Sequence, residues 1–379
     1  MGIYLDYNAS TPVDEQVLKV MIDVYKNSYG NADSRTHNYG ENARKITENA
    51  RKEVAKLLNV KADEVFFTSG ATESDNIAIL GLQNYAEKTN KKHIITTAIE
   101  HKAVLEPLRY LESKGFEVTY INPDISGRIS AELVLSSVRE DTLLVSVMHA
   151  NNETGIIQPV KEIGEALSEK NVLFHIDAAQ SCGKLVDELK VLKYDMLSVS
   201  AHKIFGPQGV GALVLRKKRY KLPPVAAIMF GGKQENGIRP GTIPVALIAG
   251  FGEACKIAEK NYIKAYSECL KIKHDILEAI DISGVEYSTN GDQSYCMPNT
   301  INISFNGVNS EALMLASKQY CGISNGSACN SNNYKPSYVL TAMGIDNEII
   351  RSSVRISWGA GIDVLDDINR LIDVVKSFI

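Results

Sequence analysis

The stretch Met196-Leu197-Ser198-Val199-Ser200-Ala201-His202-Lys203 joins a strand-like run to a histidine and a lysine. Its first five residues have the character of a strand, and the breaker Ile204-Phe205-Gly206-Pro207 follows closely. In an open α/β sheet, the carboxyl ends of the strands form the edge at which ligands bind. The pattern therefore predicts that the amine of Lys203 lies at this edge. A lysine partly withdrawn from water can lose its proton there and form a Schiff base, although a single lysine is more often a solvated surface charge.

Strand and helix patterns alternate on either side of this stretch. Strands are predicted at 64–68, 93–97, 117–121, 143–148, 173–176, 196–200, 212–215 and 299–305, and long helices at 35–58 and 245–279. Strands that are separated by helices form right-handed βαβ units. The sequence therefore predicts an α/β protein with a mostly parallel central sheet that helices cover on both faces.

The length of the chain predicts more than one domain. A chain of 379 residues exceeds an ordinary single domain, so one large and one smaller domain are expected. Gly, Gln, Asn and Pro mark a loop at 231–242, and a long helix and a separate α/β pattern follow it. We expect a large domain at 13–255 and a smaller α/β lobe formed by 1–12 and 256–379.

The composition argues against several classes of function. A net charge of −4 without a long basic run argues against a direct nucleic-acid surface. The six cysteines are scattered without zinc-like spacing, so we predict a reduced, intracellular protein and no metal site. The amino terminus has no leader-like pattern and no apolar run approaches membrane-spanning length. We therefore predict a cytoplasmic protein that makes no membrane contact.

The turn Ser69-Gly70-Ala71-Thr72 is a candidate phosphate site, because it joins a predicted strand to a predicted helix. Backbone N–H groups, the positive end of a helix dipole and hydroxyl groups meet at such a turn. An ordinary helix cap formed by Ser69 or Thr72 explains the same residues equally well. Dinucleotide and Walker loops are excluded, because neither G-x-G-x-x-G nor Gly-Lys-Ser/Thr is present here.

Polar residues also follow three other predicted strands. His101 stands where a helix begins, and it can cap that helix or stack on a flat ring. Asn152 belongs to the run 151–155, which is either a polar turn or a ligand contact. Asp177 ends an apolar strand, and Gln180 follows three residues later. A buried carboxylate needs a cation or hydrogen-bond donors, and a helix cap is the alternative role for Asp177.

Taken together, these groups fit one cofactor. Pyridoxal phosphate needs a lysine for its aldehyde, an acid that keeps its pyridine nitrogen protonated, and anchors for its phosphate. Lys203, Asp177 and the turn at 69–72 are the candidates for these three tasks. The sequence therefore predicts a pyridoxal phosphate site.

Two further residues indicate the reaction. Cys329 lies in the small polar stretch 324–333, without the apolar neighbours that a structural cysteine prefers, so an accessible and reactive thiol is expected. Arg355 lies in the alternating run 353–357. A guanidinium in such a run can form a bidentate pair with an α-carboxylate, and an ordinary salt bridge is the alternative.

The motifs resemble those of the cysteine desulfurases of the NifS/IscS group, which are fold-type-I pyridoxal phosphate enzymes. The resemblance extends over essentially the whole chain. Its matching stretches are YLDYNAST (4–11), FTSGATESDN (67–76), EHKAV (100–104), NNETG (151–155), HIDAAQ (175–180), SAHKIFGPQGVGAL (200–213), RPGT (239–242), SNGSAC (324–329) and SSVRIS (352–357). The resemblance implies the fold-type-I transferase fold, with the cysteine stretch in the smaller lobe.

The resemblance also implies roles for the residues around the cofactor ring. Lys203 is similar to the Schiff-base lysine, and His101 is similar to the residue that stacks on the ring and moves protons. Asp177 corresponds to the partner of the pyridine nitrogen. Gln180 corresponds to the partner of the phenolic oxygen.

The phosphate and substrate groups are implied in the same way. The implied phosphate ligands are Ala71, Thr72, Ser200 and His202, with Thr242 contributed by the second subunit of a homodimer. Asn152 is implied to belong to the cofactor site and, together with Arg355, to hold the carboxylate of the substrate.

The implied activity is the conversion of L-cysteine to L-alanine. The thiolate of Cys329 attacks the substrate sulfur, and the resulting persulfide passes to an acceptor protein in iron–sulfur assembly, tRNA thiolation or DNA phosphorothioation. A selenocysteine lyase or another class-V aminotransferase-type enzyme is the alternative, although an aminotransferase needs no loop thiol. The chain departs from the family at Lys233, which stands within 231–237 where the relatives have glycine.

Overall fold

The computed structural model describes residues 2–326 and 336–379. The strands of this part of the chain are β1 (Ile3–Tyr4), β2 (Val65–Thr68), β3 (His93–Thr97), β4 (Glu117–Ile121), β5 (Thr142–Met148), β6 (Leu173–Asp177), β7 (Met196–Ser200), β8 (Gly211–Leu215), β9 (Tyr287–Thr289), β10 (Thr300–Phe305), β11 (Cys321–Gly322) and β12 (Ser353–Ser357).

The α-helices of the same residues are α1 (Glu15–Asn27), α2 (Asn38–Leu58), α3 (Ala71–Leu80), α4 (Gln83–Thr89), α5 (Lys102–Glu112), α6 (Ala131–Ser136), α7 (Val160–Leu167), α8 (Val186–Val191), α9 (Val245–Ser283), α10 (Ser310–Ser317), α11 (Tyr338–Ala342), α12 (Asn347–Arg351) and α13 (Leu365–Lys376). Short 3₁₀ turns lie at Ala62–Glu64, Ala201–Lys203, Gln234–Gly237 and Gln293–Tyr295. None of the helices in the two described ranges combines the length and the apolar character that crossing a membrane requires.

The largest sheet has the strand order β2-β8-β7-β6-β5-β3-β4. Neighbouring strands from β7 to β4 run parallel, whereas β8 runs antiparallel to both β7 and β2. Every residue of β5 and β7 is buried, as expected for apolar strands that helices cover on both faces. The prediction of an α/β fold with a mostly parallel central sheet is confirmed.

The register of this sheet places the predicted site residues at one edge. Met148 of β5 pairs with Asp177 of β6, and Asp177 pairs with Ser198 of β7. Parallel strands share the direction of their carboxyl ends, so the segments that follow these strands emerge side by side. Ser200 is the last residue of β7, and the 3₁₀ turn Ala201–Lys203 follows it directly. This edge is therefore where the predicted cofactor residues meet.

A second apolar core lies outside the large sheet. It contains Leu5 and residues between Cys269 and Val375, around the antiparallel sheet β12-β10-β9 and the parallel pair β1-β11. Helix α9 contributes Ile248 and Phe251 to the apolar core around the large sheet, which is the first core. The same helix contributes Ile272 and Ile276 to the second core. The two cores support the predicted large and small domains. The predicted boundary at residue 255 falls inside continuous α9, and the division itself stays a prediction.

Some element ends differ from the predicted ones for identifiable reasons. The helix predicted at 35–58 begins at Asn38, because His37 has extended backbone angles and its Nδ1 accepts the N–H of Gly40 at 3.2 Å. The helix predicted at 245–279 continues to Ser283, where Gly284 ends it with φ of 73°. The local caps therefore determine where α2 begins and where α9 ends.

Candidate active site

Lys203 lies in the 3₁₀ turn that follows β7, where its amine is held by the amino-terminal segment. The Nζ group donates to the backbone oxygens of Asn8, at 2.5 Å, and Ala9, at 2.8 Å. Burial lowers the pKa of the Lys203 amine to about 7, and the cations of Lys184 and Arg355 act in the same direction. A lysine with such a pKa is partly unprotonated near neutral pH, as a nucleophilic amine must be.

Asp177 and Gln180 follow the carboxyl end of β6. Asp177 is 6% exposed, and burial raises the pKa of its carboxyl group, although Oδ1 accepts the N–H of Ala179 at 2.9 Å. Gln180 donates through Nε2 to the backbone oxygen of Asn8 at 2.9 Å. Its Oε1 is buried and has no hydrogen-bond partner among the described residues. The pair thus offers a buried acid and an unused amide oxygen on one turn.

His101 caps helix α5, because its Nδ1 accepts the N–H of Ala103 at 3.1 Å. The structure therefore shows the capping role. Although the side chain reaches solvent, the surrounding protein withdraws water from the imidazole and lowers its pKa. Lys203 acts in the same direction, and Asp177 opposes the shift. With Nδ1 accepting a hydrogen bond, the ring of neutral His101 carries its proton on Nε2.

The predicted phosphate ligands come together from two parts of the chain. Ala71 and Thr72 form the start of α3, after Gly70, whose φ is 152°. A Cβ atom built on Gly70 would lie 3.6 Å from Oγ of Ser200, so the start of α3 adjoins the end of β7. Burial lowers the pKa of His202 to about 4, which keeps its ring neutral. The N–H groups of the first helical turn are available to an anion at this place.

Arg355 of β12 is 5% exposed and is held by two groups. Its guanidinium donates to the backbone oxygen of Asn152 at 2.8 Å and pairs with Asp6 at 2.5 Å. The Nε of Arg355 and the Oδ1 of Asn152 are buried and have no hydrogen-bond partner in residues 2–326 and 336–379. Arg355 therefore makes the salt bridge that was the alternative prediction, and it still has an unused donor next to Asn152.

The glycine-rich turn accommodates Lys233 without backbone strain. Lys233 has φ of −102°, which any L-residue adopts, and its side chain is exposed. Glu235 anchors the turn, because it accepts two hydrogen bonds from Arg51, at 2.7 and 2.8 Å, and one from the N–H of Phe67, at 2.7 Å. Thr242, which follows this turn, is exposed in the single chain.

The predicted nucleophile Cys329 lies outside the described residues. The other five cysteines, at 182, 255, 269, 296 and 321, are buried and unpaired. Burial raises the pKa of the Cys321 thiol to about 11, so this neighbour of the motif is a poor nucleophile at neutral pH.

Sequence reasoning missed two residues of the site. Asn8 accepts hydrogen bonds from Lys203 and Gln180 and donates through Nδ2 to Thr300 Oγ1 at 3.0 Å. Asp75 of α3 is fully buried, and burial, followed by the charge of Asp177, raises the pKa of its carboxyl group well above the usual value. Asp75 shares a helix face with the apolar residues three and four positions later, and this pattern could have revealed its burial.

The polar groups of the site are suited to binding pyridoxal phosphate. Among the predicted cofactor and substrate residues, three buried polar atoms lack a partner in the described part of the chain, namely Oε1 of Gln180, Oδ1 of Asn152 and Nε of Arg355. Buried polar atoms are rarely left unpaired, so such a group of atoms indicates a place for a polar ligand. Lys203 would hold the aldehyde carbon, Asp177 the ring nitrogen, and the start of α3 the phosphate.

The family description "Aminotransferase class-V" matches residues 3–370. The chain belongs to the class-V aminotransferase family. A cysteine desulfurase IscS from Vibrio campbellii is 44% identical over 363 residues, which cover 95% of this chain and 88% of the relative. This class-V chain also resembles solved structures. A NifS-like protein is 37% identical with a TM-score of 0.90, and the match covers 100% of this chain and 99% of the other. The protein SspA, in complex with cysteine, is 37% identical with a TM-score of 0.82, over 94% and 99% of the two chains.

These similarities confirm several predictions for this class-V member. The resemblance to the NifS/IscS group of cysteine desulfurases, the fold-type-I fold and the dependence on pyridoxal phosphate are confirmed. A selenocysteine lyase or aminotransferase-type enzyme is not favoured, because the curated relatives are named for desulfuration. The roles of the individual site residues stay predictions.

Proposed function

We propose that this chain is a pyridoxal-phosphate-dependent cysteine desulfurase, which converts L-cysteine to L-alanine and collects the sulfur on Cys329. The observation that carries the proposal is the position of Lys203. Its amine, with a pKa lowered to about 7, stands at the carboxyl edge of the sheet among the unpaired polar atoms of Gln180, Asn152 and Arg355. The matching relatives support L-cysteine as the substrate.

The residues around Lys203 would each bind a different part of the cofactor. When bound, pyridoxal phosphate supplies an electron sink that stabilises negative charge at the α-carbon of the substrate. Asp177, a buried acid, would hold a proton at the ring nitrogen, and in return that cation would keep the carboxylate ionised. Gln180 would turn its free Oε1 or its amide group towards the ring. The amides at the start of α3 would hold the phosphate.

Four side chains would bind the substrate and transfer protons. Arg355 and Asn152 would hold the α-carboxylate of L-cysteine, which would give both unpaired atoms a partner. The Lys203 amine, when unprotonated, would take the proton from the α-carbon of the substrate. His101 would move a proton through Nε2, because its Nδ1 is engaged by the N–H of Ala103.

The bonds that form and break during sulfur transfer account for both products. The thiolate of Cys329 attacks the sulfur of the substrate, an S–S bond forms, and the bond between sulfur and the β-carbon breaks. The β-carbon keeps the electron pair of that bond and gains a proton, which gives L-alanine. Cys329 is left as a persulfide, and an acceptor thiol can remove its outer sulfur by exchange.

We also propose a cytoplasmic homodimer that passes sulfur to an acceptor protein. Exposed Thr242, together with the exposed side chains of Leu18, Tyr25 and Phe230, supports a second copy of the chain as a neighbour. Phe230 is 89% exposed and lies twelve positions before Thr242, so this part of the surface is suited to burial against a partner.

The proposal is tested by anaerobic incubation of the holoenzyme with L-cysteine and a reductant. We expect equal amounts of alanine and sulfide from the natural protein. Cys329→Ala should keep the yellow colour of the bound cofactor and lose sulfide release. Cys321→Ala is the matched control, because it removes a buried thiol from the same region and should keep the activity. Undiminished sulfide release by Cys329→Ala would remove this thiol from the reaction.

A further inference from the structure

Gly326 and Ser337, which lie on either side of the cysteine segment 327–335, both contact one buried carboxylate. On one side, Gly326 packs against Glu153, because a Cβ atom on Gly326 would lie 2.5 Å from Oε2 of Glu153 and 2.8 Å from its Cδ. On the other side, the hydroxyl of Ser337 donates to the same Oε2 at 2.5 Å. The two flanks of the segment thus meet at a single oxygen atom.

Glu153 is itself firmly held. The residue is 2% exposed, its N–H donates to Oδ1 of Asn151 at 2.8 Å, and its backbone oxygen accepts from Nδ2 of Asn302 at 3.1 Å. Burial raises the pKa of Glu153 to about 7, against the opposing effects of the hydrogen bond from Ser337 and the charge of Arg355. A buried side chain on a backbone that is held in this way cannot easily move aside for a neighbour.

Each flank of the segment is also fixed by a second contact. Gly326 donates its N–H to Oγ of Ser324 at 3.2 Å, and Ser324 exchanges backbone hydrogen bonds with Arg355. Ser337 caps α11, because its Oγ accepts the N–H of Leu340 at 3.1 Å. One flank is therefore connected to the arginine proposed to hold the substrate, and the other to a helix.

Glu153 is the chain neighbour of Asn152, whose backbone oxygen accepts from Arg355. The same short turn thus contacts the proposed substrate residues and both flanks of the cysteine segment. We infer that Glu153 is a positioning residue, which fixes both flanks of the segment that contains Cys329 relative to the substrate site. The inference rests on the proposed function of Cys329 and adds a residue that touches neither substrate nor cofactor.

A purely structural role for Glu153 predicts different behaviour. A buried carboxylate that only stabilises the fold would, when removed, weaken the protein as a whole. A positioning residue would change the two flanks and the sulfur-transfer step, while substrate and cofactor binding would persist. Hydrogen exchange of the holoenzyme separates the two roles, because it resolves individual peptides and does not depend on turnover.

The first experiment compares the natural holoenzyme with Glu153→Ala, Glu153→Gln and Glu64→Ala. Glu153→Gln keeps the size and one acceptor oxygen. Glu64→Ala removes another buried carboxylate, which accepts the backbone N–H groups of Lys61 and Lys217. In Glu153→Ala, amide exchange at Gly326 and Leu340 should accelerate at least about tenfold, as expected when a restraint is lost. Glu153→Gln and Glu64→Ala should stay within about twofold of the natural protein at both positions.

The same variants are then assayed with L-cysteine. Glu153→Ala should lower kcat for sulfide release by about tenfold or more, with KM for cysteine and the cofactor absorbance nearly unchanged. Unchanged exchange at both flanks in Glu153→Ala would overturn the inference. Equal acceleration at both flanks in Glu64→Ala would overturn it as well, since the effect would then be global.

A second pair of variants avoids removal of the carboxylate. Gly326→Ala inserts a methyl group against Glu153 at φ of 78°, whereas Gly361→Ala adds a methyl group at a similar φ of 77° with no atom within 4 Å. Gly326→Ala should reproduce the loss of kcat and the faster exchange at Leu340, and Gly361→Ala should not. Equal kcat in the two variants would contradict the inference. Absence of sulfide release from the natural protein would refute the proposed function instead, and the exchange results would still test the anchoring of the flanks.

Discussion

Lys203 and Gln180 donate hydrogen bonds to one backbone oxygen, that of Asn8, at 2.5 and 2.9 Å. Residues from two different strand ends are thereby joined by the amino-terminal segment, which lies 195 positions before Lys203 in the chain. This contact keeps the amine in place and away from water. Both effects prepare Lys203 to react with a carbonyl group.

The lowered pKa of Lys203 leads to a first prediction. In cofactor-free protein, acetylation of Lys203 by trace acetic anhydride should follow a titration with a midpoint near 7, because burial favours the uncharged amine. The rate is measured by mass spectrometry of the peptide that contains Lys203. The exposed Lys264 serves as the internal control. A midpoint for Lys203 near 10.5, the usual value for lysine, would refute the prediction.

A second prediction concerns Asp75, because burial and the charge of Asp177 raise the pKa of its carboxyl group well above the usual value. A group whose pKa is raised in the folded protein stabilises the fold at low pH, and this stability is lost as pH rises towards the folded pKa. Asp75→Asn imitates the neutral acid. The variant should therefore gain stability relative to the natural protein as the pH rises from 5.5 towards the raised pKa of Asp75, by up to roughly 1.4 kcal/mol per pH unit.

Urea unfolding at pH 5.5 and at a series of higher pH values tests the prediction for Asp75. Asp63→Asn is the control, because Lys217 lowers the pKa of that exposed carboxyl group and leaves it ionised throughout this range. A stability difference for Asp75→Asn that does not change with pH would contradict the raised pKa of Asp75.

The packing beneath Lys203 gives a third prediction. A Cβ atom on Gly183, at φ of 69°, would lie 2.8 Å from Cγ2 of Ile204, the residue that follows Lys203. Gly183→Ala combines backbone strain with overpacking and should cost about 3 kcal/mol of the free energy of unfolding. Gly115→Ala has a similar φ of 85° and open space, so it should cost only about 1 kcal/mol. Equal losses in denaturant titrations would show that the contact with Ile204 is unimportant.

Arg355 gives a fourth prediction. Arg355→Lys keeps the charge and loses the planar fork, so it should raise KM for L-cysteine by about 10- to 100-fold, with a smaller effect on kcat. Steady-state kinetics with L-cysteine measure both constants. Arg139→Lys changes an exposed arginine that pairs with Glu117 and Asp141, and it should leave KM unchanged. A KM for Arg355→Lys equal to that of the control would exclude a contact with the substrate.

The features that could be predicted from the sequence depend on residues that are adjacent in the chain. The strand ends at Asp177 and Ser200 could be predicted, because apolar runs and the polar residues after them are adjacent in the chain. The partners of Lys203 could not, because Asn8 reaches it only through the packing of the amino-terminal segment against the second core. Asp75 was missed since a carboxylate inside a helix is ordinarily exposed, and only the tertiary fold buries it.

Glu153 illustrates the same limit. Its motif at 151–155 was predicted to be either a polar turn or a ligand contact. The structure shows a turn whose Glu153 side chain contacts Gly326 and Ser337, which lie more than 170 positions away in the chain. No periodicity in the sequence relates these residues, so their meeting depends on how the strand ends are arranged in space.

Mass spectrometry of the holoenzyme after an anaerobic pulse of L-cysteine without reductant tests the proposed persulfide on Cys329. We expect fragment ions to place the added sulfur on Cys329 and not on buried Cys321, which no Lys or Arg separates from it, and we expect no added sulfur in Lys203→Ala. Release of alanine from the natural enzyme with no sulfur added to Cys329 would contradict the proposed persulfide.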